Sequence, residues 1–157
     1  MTPAELITRK LKAAIENAGA TVPVYSLLLE ALDGEKHETP SSGIALNVHI
    51  SGQLAEPQPI YTFSMSAALT VSLDDDKGGR LFVENYNALW ATFDNLARAD
   101  NCAALGDEAD ELTEGEAHVF AVDGFQLSDG DEPDYQQDEN GGSWSTSFAA
   151  TITGRAN

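Results

Sequence analysis

Between positions 44 and 51 apolar and polar residues alternate without a break, with Ile44, Leu46, Val48 and Ile50 on one side and Ala45, Asn47, His49 and Ser51 on the other. Strand side chains have a period of two, so this stretch is predicted to be a strand buried on one face. After Pro57 and Pro59, the residues Tyr61, Phe63, Met65 and Ala67 alternate with Thr62, Ser64 and Ser66, and Leu69, Val71 and Leu73 continue the series. We expect one long, bent strand here, bulged near Ala67 and Ala68. Positions 117–127 and 143–153 read as two further strands, the second carrying Trp144, Thr146, Phe148, Ala150 and Ile152 on alternate sites.

Two stretches have the spacing of a helix instead. Leu6, Leu11, Ile15 and Ala18 form a one-sided apolar stripe behind Thr2, Pro3 and Glu5, which read as N-cap, first-turn proline and capping-box acid; Gly19 ends the helix. Leu81, Phe82, Tyr86, Leu89, Trp90, Phe93 and Leu96 recur every three or four residues, predicting a long helix whose aromatic stripe covers the sheet. Positions 22–32 fit either an edge strand broken by Pro23 or a short helix through Tyr25, Leu28, Leu29 and Leu32, and we read them as strand. Positions 102–115 read equally as a loop or one helical turn.

These elements make an α+β domain spanning 1–157: an antiparallel or mixed sheet of about four to five strands, a long central helix packed on one face, and an N-terminal helix. That first helix is placed either on the same face or against a neighbouring subunit. Positions 33–43 are a polar loop with turn residues. The last two strands are expected to form a hairpin whose tip, 128–142, is a long acidic loop, a length that is uncommon unless the loop has a function or is disordered.

Composition sharpens this picture chiefly through charge. Asp and Glu number 26 against 8 Lys and Arg, a formal net charge of -18. Phosphate backbones are bound through Lys and Arg, so direct nucleic-acid binding is not expected, and neither is attachment to an anionic membrane. The charged start of the chain, with Glu5, Arg9, Lys10 and Lys12, does not read as a secretory signal, and no apolar run approaches ~18 residues. A cytoplasmic location is therefore expected. The one cysteine, Cys102, leaves no internal disulfide and no cysteine-based metal pattern.

Candidate chemistry is sparse. His37, His49 and His118 share no metal-ligand spacing, and each reads better as a surface or structural residue. Gly78, Gly79 and Arg80 precede the central helix as a phosphate loop would, but Asp74, Asp75 and Asp76 beside them would repel phosphate, so a turn and cap is preferred. In the acidic loop Asp129, Asp131 and Asp134 form a weak Ca²⁺ candidate without the EF-hand pattern, whereas Asp131, Glu132, Tyr135, Asp138 and Glu139 form a candidate protein-contact loop. No catalytic residue and no cofactor are assigned, and the expectation is a protein that is not an enzyme.

The order of elements resembles that of the tail-terminator or tail-completion proteins of long-tailed phages. It is carried by the opening helix over 2–19, the long strand 61–73 feeding the helix 81–96, and the closing strand 142–155, which together cover nearly the whole chain. The resemblance implies a homohexameric ring that caps the tail tube, stops its polymerisation and presents a surface to the head. Its implied partners are itself, a tail tube protein and a head-completion protein, and its implied place is the virion tail after assembly in the host cytoplasm. The alternative is an acidic DNA-mimic inhibitor of a basic nucleic-acid-handling protein, suggested by the clusters 74–76 and 129–139. It ranks second because those acids lie in turns rather than in a rigid row. An enzyme with a dispersed site ranks third.

Overall fold

The computed structural model describes residues 2–34, 39–54, 60–75, 79–106, 120–128, 132–139 and 141–156. In chain order its elements are α1 (Pro3–Asn17), β1 (Val24–Tyr25), α2 (Leu27–Asp33), β2 (Gly43–Leu54), β3 (Ile60–Ser72), α3 (Arg80–Leu96), a 3₁₀ turn (Asn101–Leu105), β4 (Phe120–Ser128), β5 (Asp134–Asp138) and β6 (Gly141–Ala156). The fold is α+β. Its six-stranded sheet runs β1-β2-β3-β6-β4, with β5 also paired to β6. Only β1 is parallel to its neighbour, so the sheet is mixed but mostly antiparallel.

The central pair β3–β6 holds register from Ile60↔Arg155 to Ser72↔Ser143 without interruption. The expected bulge near Ala67 and Ala68 is therefore absent. The reason is legible in hindsight, because apolar residues occupy every odd position from Tyr61 to Val71 and leave nothing to insert. Bulges lie elsewhere, between Ile50 and Gly52 in β2 and between Val122 and Gly124 in β4.

Phe63, Met65, Ala67, Leu69 and Val71 of β3 are buried together with Ile44, Leu46 and Val48 of β2 and Phe148, Ala150 and Ile152 of β6. Both long helices cover this face. α1 buries Leu6, Ile7, Leu11 and Ile15, and its Thr2 hydroxyl accepts the Glu5 N–H at 3.2 Å as the cap spacing predicts. The Glu5 carboxylate takes the Arg9 guanidinium at 3.0 Å. α3 lays Phe82, Tyr86 and Phe93 over Trp144, Phe148 and Phe125 at ring separations of 5.4–6.1 Å. Trp90, read as core from its place in the stripe, is instead 50% exposed at the rim, 6.3 Å from Phe148.

Two regions depart from expectation. Positions 22–32 hold both structures, a two-residue strand followed by a seven-residue helix, because Ser26 caps Leu29 N–H and Gly34 closes the helix in the left-handed conformation at φ 71°. The acidic tip contains a strand, β5, that pairs with β6 and raises the count to six. There Tyr135 packs on Trp144 with ring centres 5.0 Å apart.

Candidate functional site

The second face of the sheet carries none of the described helices' apolar stripes. Since side chains alternate, the residues between the core positions all point to this side: Thr62, Ser64, Ser66, Ala68 and Thr70 from β3; Ser145, Ser147, Ala149, Thr151 and Thr153 from β6; Ala45, Asn47 and His49 from β2; Gln126 and Ser128 from β4. All are half-buried or exposed, and none is an Asp, Glu, Lys or Arg. Around this field the sequence is equally bare. From Pro40 to Leu73 only Glu56 is charged, and from Gly141 to the end only Arg155, in a chain where 22% of residues carry a charge.

Charges reappear at the margins. Arg155 pairs with Asp123 at 3.2 Å at one end, and Glu132, Asp134 and Gln136 overlook Thr70, Ser145 and Ser147 across a shallow hollow of about 470 Å³ at the other. Beside β1, α2 leans over the start of the face, so that Leu27 and Leu28 bound a second notch of about 380 Å³ against Ala45, Asn47, Ser66 and Ala68. Beyond Ala45 the outer edge of β2 pairs with no strand among the described residues, and Leu54 and Ile60, paired across the sheet, stand exposed at its far end.

The predicted site residues are scattered by comparison. Of the contact loop, Glu132 and Asp134 reach the hollow, Tyr135 lies 38% exposed on Trp144, and Glu139 is exposed; Asp138 pairs with Gly141 in the ladder. Asp131 and Asp129 lie outside the described residues. Asp134, the described member of the Ca²⁺ candidate, accepts the Gln136 amide at 3.3 Å, and no group of three His, Cys, Asp or Glu able to hold a metal ion occurs among the described residues. His49 is exposed, whereas His37 and His118 lie outside the described residues.

Ahead of α3, Gly79 adopts φ 75° and supplies no side-chain cap. Asp75 is held by two serines of the segment before β2. It accepts hydrogen bonds from Ser42 and Ser41, which hold its carboxyl below the usual carboxylate range. Asp76 and Gly78 lie outside the described residues. The basic residues of α1 are engaged within the chain: Arg9 bridges Asp33 at 2.7 Å and Glu5 at 3.0 Å, Lys12 faces Glu16 at 3.6 Å, and Lys10 donates to the Gly106 carbonyl at 2.8 Å. The hydrogen bonds to Asp33 and then to Glu5 raise the Arg9 pKa further.

The uncharged face was not singled out from the sequence, although its signal was present as the run from 40 to 73 with one charge. Comparison with known proteins adds little to this geometry. No protein-family model matches the chain, and no curated protein matches it. It is similar to a chain of the virion of a native gene transfer agent particle, at 12% identity over 92% of this chain and 94% of that one, with a TM-score of 0.46.

Proposed function

We propose that this protein is a non-enzymatic assembly subunit that binds other protein subunits through the open face of its sheet. In the specific form suggested by the order of its elements, it is a phage tail terminator, a ring of copies that caps a tail tube and joins it to the head. The observation that carries the reading is the contrast between a net charge of -18 and a sheet face with no carboxylate in its middle. A solvated face on an acidic protein gains solubility from charge. A face meant to be covered loses by it, because every buried carboxylate must be desolvated and repaired, and interface cores are accordingly depleted of charge.

Size agrees. Four strands ~4.8 Å apart and about ten residues of ~3.3 Å rise give a plane on the order of 600 Å², near the ~800 Å² that each partner contributes to a standard interface. Serine and threonine hydroxyls both donate and accept, so such a face can satisfy a partner's polar atoms without carrying charge into the contact.

The test is the absolute mass in solution by light scattering after size exclusion, across protein and salt concentrations. Assembly into a discrete multiple of 16.7 kDa is expected, with six copies for the ring. The double substitution Ser66→Glu with Ala149→Glu, which places two carboxylates mid-face, should leave the melting temperature within a few degrees of the parent and abolish the assembly. A chain that is monomeric under every condition removes the self-assembling ring.

A further inference from the structure

A connected row of aromatic rings runs along the seam between α3 and the β5–β6 edge of the sheet. Tyr135 packs on Trp144 at 5.0 Å, Trp144 on Phe82 at 5.7 Å, Phe82 on Tyr86 at 6.0 Å, Tyr86 on Phe148 at 5.7 Å and Phe148 on Trp90 at 6.3 Å. Phe82 and Phe148 are buried, as core rings are. The others reach solvent: Trp144 and Tyr86 are half-buried, and the row ends in Tyr135 and Trp90, 38% and 50% exposed. Val83, seven residues before Trp90 and so on the same side of α3, is 53% exposed. Single exposed apolar residues are ordinary on a protein surface, but these belong to one row, and both tryptophans of the chain stand in it.

The sheet side of this row comes from the most one-sided stretch of the sequence. Between Arg98 and Arg155 there is no Lys or Arg, and the part that carries Tyr135 sets Glu132, Asp134 and Glu139 around it, all exposed. On α3 the carboxylates that follow Val83 and Trp90, Glu84 and Asp94, pair with Arg80 at 3.1 Å and Arg98 at 2.7 Å in exposed i,i+4 contacts, a kind of pair that contributes little. Carboxylates are therefore set close to rings that reach solvent.

We propose that the row docks an arginine-bearing segment of another protein. Two separate attractions converge on that occupant. Aromatic rings hold a cation over their faces, Arg more often than Lys because the guanidinium is planar and stacks. A body of charge -18 draws cations towards it and repels a second copy, a phosphate or any other acidic partner. A neutral apolar segment would use the rings alone. Trp and Tyr are also the side chains in which interface energy concentrates. Trp144 and Phe148 lie four positions apart on β6, ~13 Å at strand rise, so two Arg at that separation in an extended segment reach both ends of the row. The row lies on the helix-covered side of the sheet, away from the open face, and the proposal does not rest on self-assembly through that face.

The probe is an otherwise uncharged peptide of Gly, Ser and Ala with two Arg four positions apart, titrated with the whole protein at low salt and followed by the anisotropy of a label on the peptide. Saturable binding that shifts the tryptophan emission is expected, since both tryptophans stand in the row. The same peptide with citrulline for Arg, which removes the charge and keeps the shape, is expected not to bind. Any body of this charge attracts a cation, so the deciding variant leaves the charge alone: Trp90→Ser with Tyr135→Ser should weaken the Arg peptide at least about fivefold. Leu27→Ser with Leu32→Ser, exposed apolar residues of α2, should not weaken it. Thermal melting monitors the fold, and a ring variant that melts early is replaced by Trp90→Leu with Tyr135→Leu, which keeps apolar bulk and removes the aromatic faces. If the parent does not bind the Arg peptide, if the citrulline peptide binds as well, or if the ring variants bind as the parent does, the row is not the site and the proposal falls. Self-assembly through the open face is untouched by that result, because the mass in solution tests it separately.

Discussion

Asn85 shows how much one polar side chain can hold in place. It is fully buried on α3, and its carbonyl oxygen accepts the N–H groups of Thr21 (2.8 Å) and Val22 (3.2 Å) while its amide donates to Thr21 Oγ1 (2.9 Å) and to the Leu81 carbonyl (2.8 Å). The segment after α1 is thereby fastened to α3. Asn85→Leu keeps the volume but strands the two N–H groups, and is expected to cost about 3 kcal/mol and lower the melting temperature by about 6–12 °C. Nothing in the sequence marks Asn85, because a polar residue on an amphipathic helix normally faces water. Asp75 gives a second prediction. Its folded pKa lies below the unfolded one, so its contribution is present above the ordinary carboxylate range and is lost as pH falls through the depressed value. Ser42→Ala, which also removes the acceptor of the Ser72 N–H at 2.9 Å, should lower stability at neutral pH and flatten the loss that sets in as pH falls below the ordinary carboxylate range. Acid unfolding followed by circular dichroism reads both.

At the scale of elements, the contact between α3 and β6 is an aromatic layer. Phe148 touches Tyr86, Trp90 and Phe93 with ring centres 5.4–6.3 Å apart, so it is the piece of the sheet on which the helix rests. Phe148→Ala is expected to cost about 3–5 kcal/mol, the range for truncating a buried aromatic, and to be among the most damaging single changes in this protein. Denaturant unfolding measures it; a loss under about 1 kcal/mol would mean that the layer is held elsewhere. Gly154 serves the same core from the sheet side, since a Cβ there would meet the Phe120 ring at 2.4 Å. The long elements were legible because each repeats its period often enough to exclude the other: α3 over four turns, β3 over six apolar odd positions from Tyr61 to Val71. The segment 22–32 was not, because two residues of strand and seven of helix are too few for either period to show, and the Ser26 and Gly34 caps that divide them are weak signals alone.

For the whole molecule the sign of a salt effect separates the two leading functional classes. Copies that meet through an uncharged face must overcome the mutual repulsion of -18 on each. Salt shortens the range of that repulsion, from a Debye length of ~30 Å at 0.01 M to ~10 Å at 0.1 M. Self-assembly should therefore strengthen as salt rises over this range, read as a growing associated fraction in sedimentation at fixed protein concentration. A DNA mimic holding a basic partner would show the reverse, binding that weakens with salt.

Read alone, the sequence determined the class of fold, the identity of the long strands and helices, the faces they bury and the acidic balance that argues against phosphate as a ligand. Each of these follows from local spacing or from simple totals, and neither depends on what lies far away in the chain. Tertiary structure decided the rest: that both α1 and α3 cover the same face and leave the other open, that β5 forms within the acidic loop by pairing with β6, and that Leu27 and Leu28 hang over the far end of that open face from Leu54 and Ile60. A period of two states that a strand has two faces, but only the packing of segments distant in sequence determines which face receives the helices and what is left for a partner.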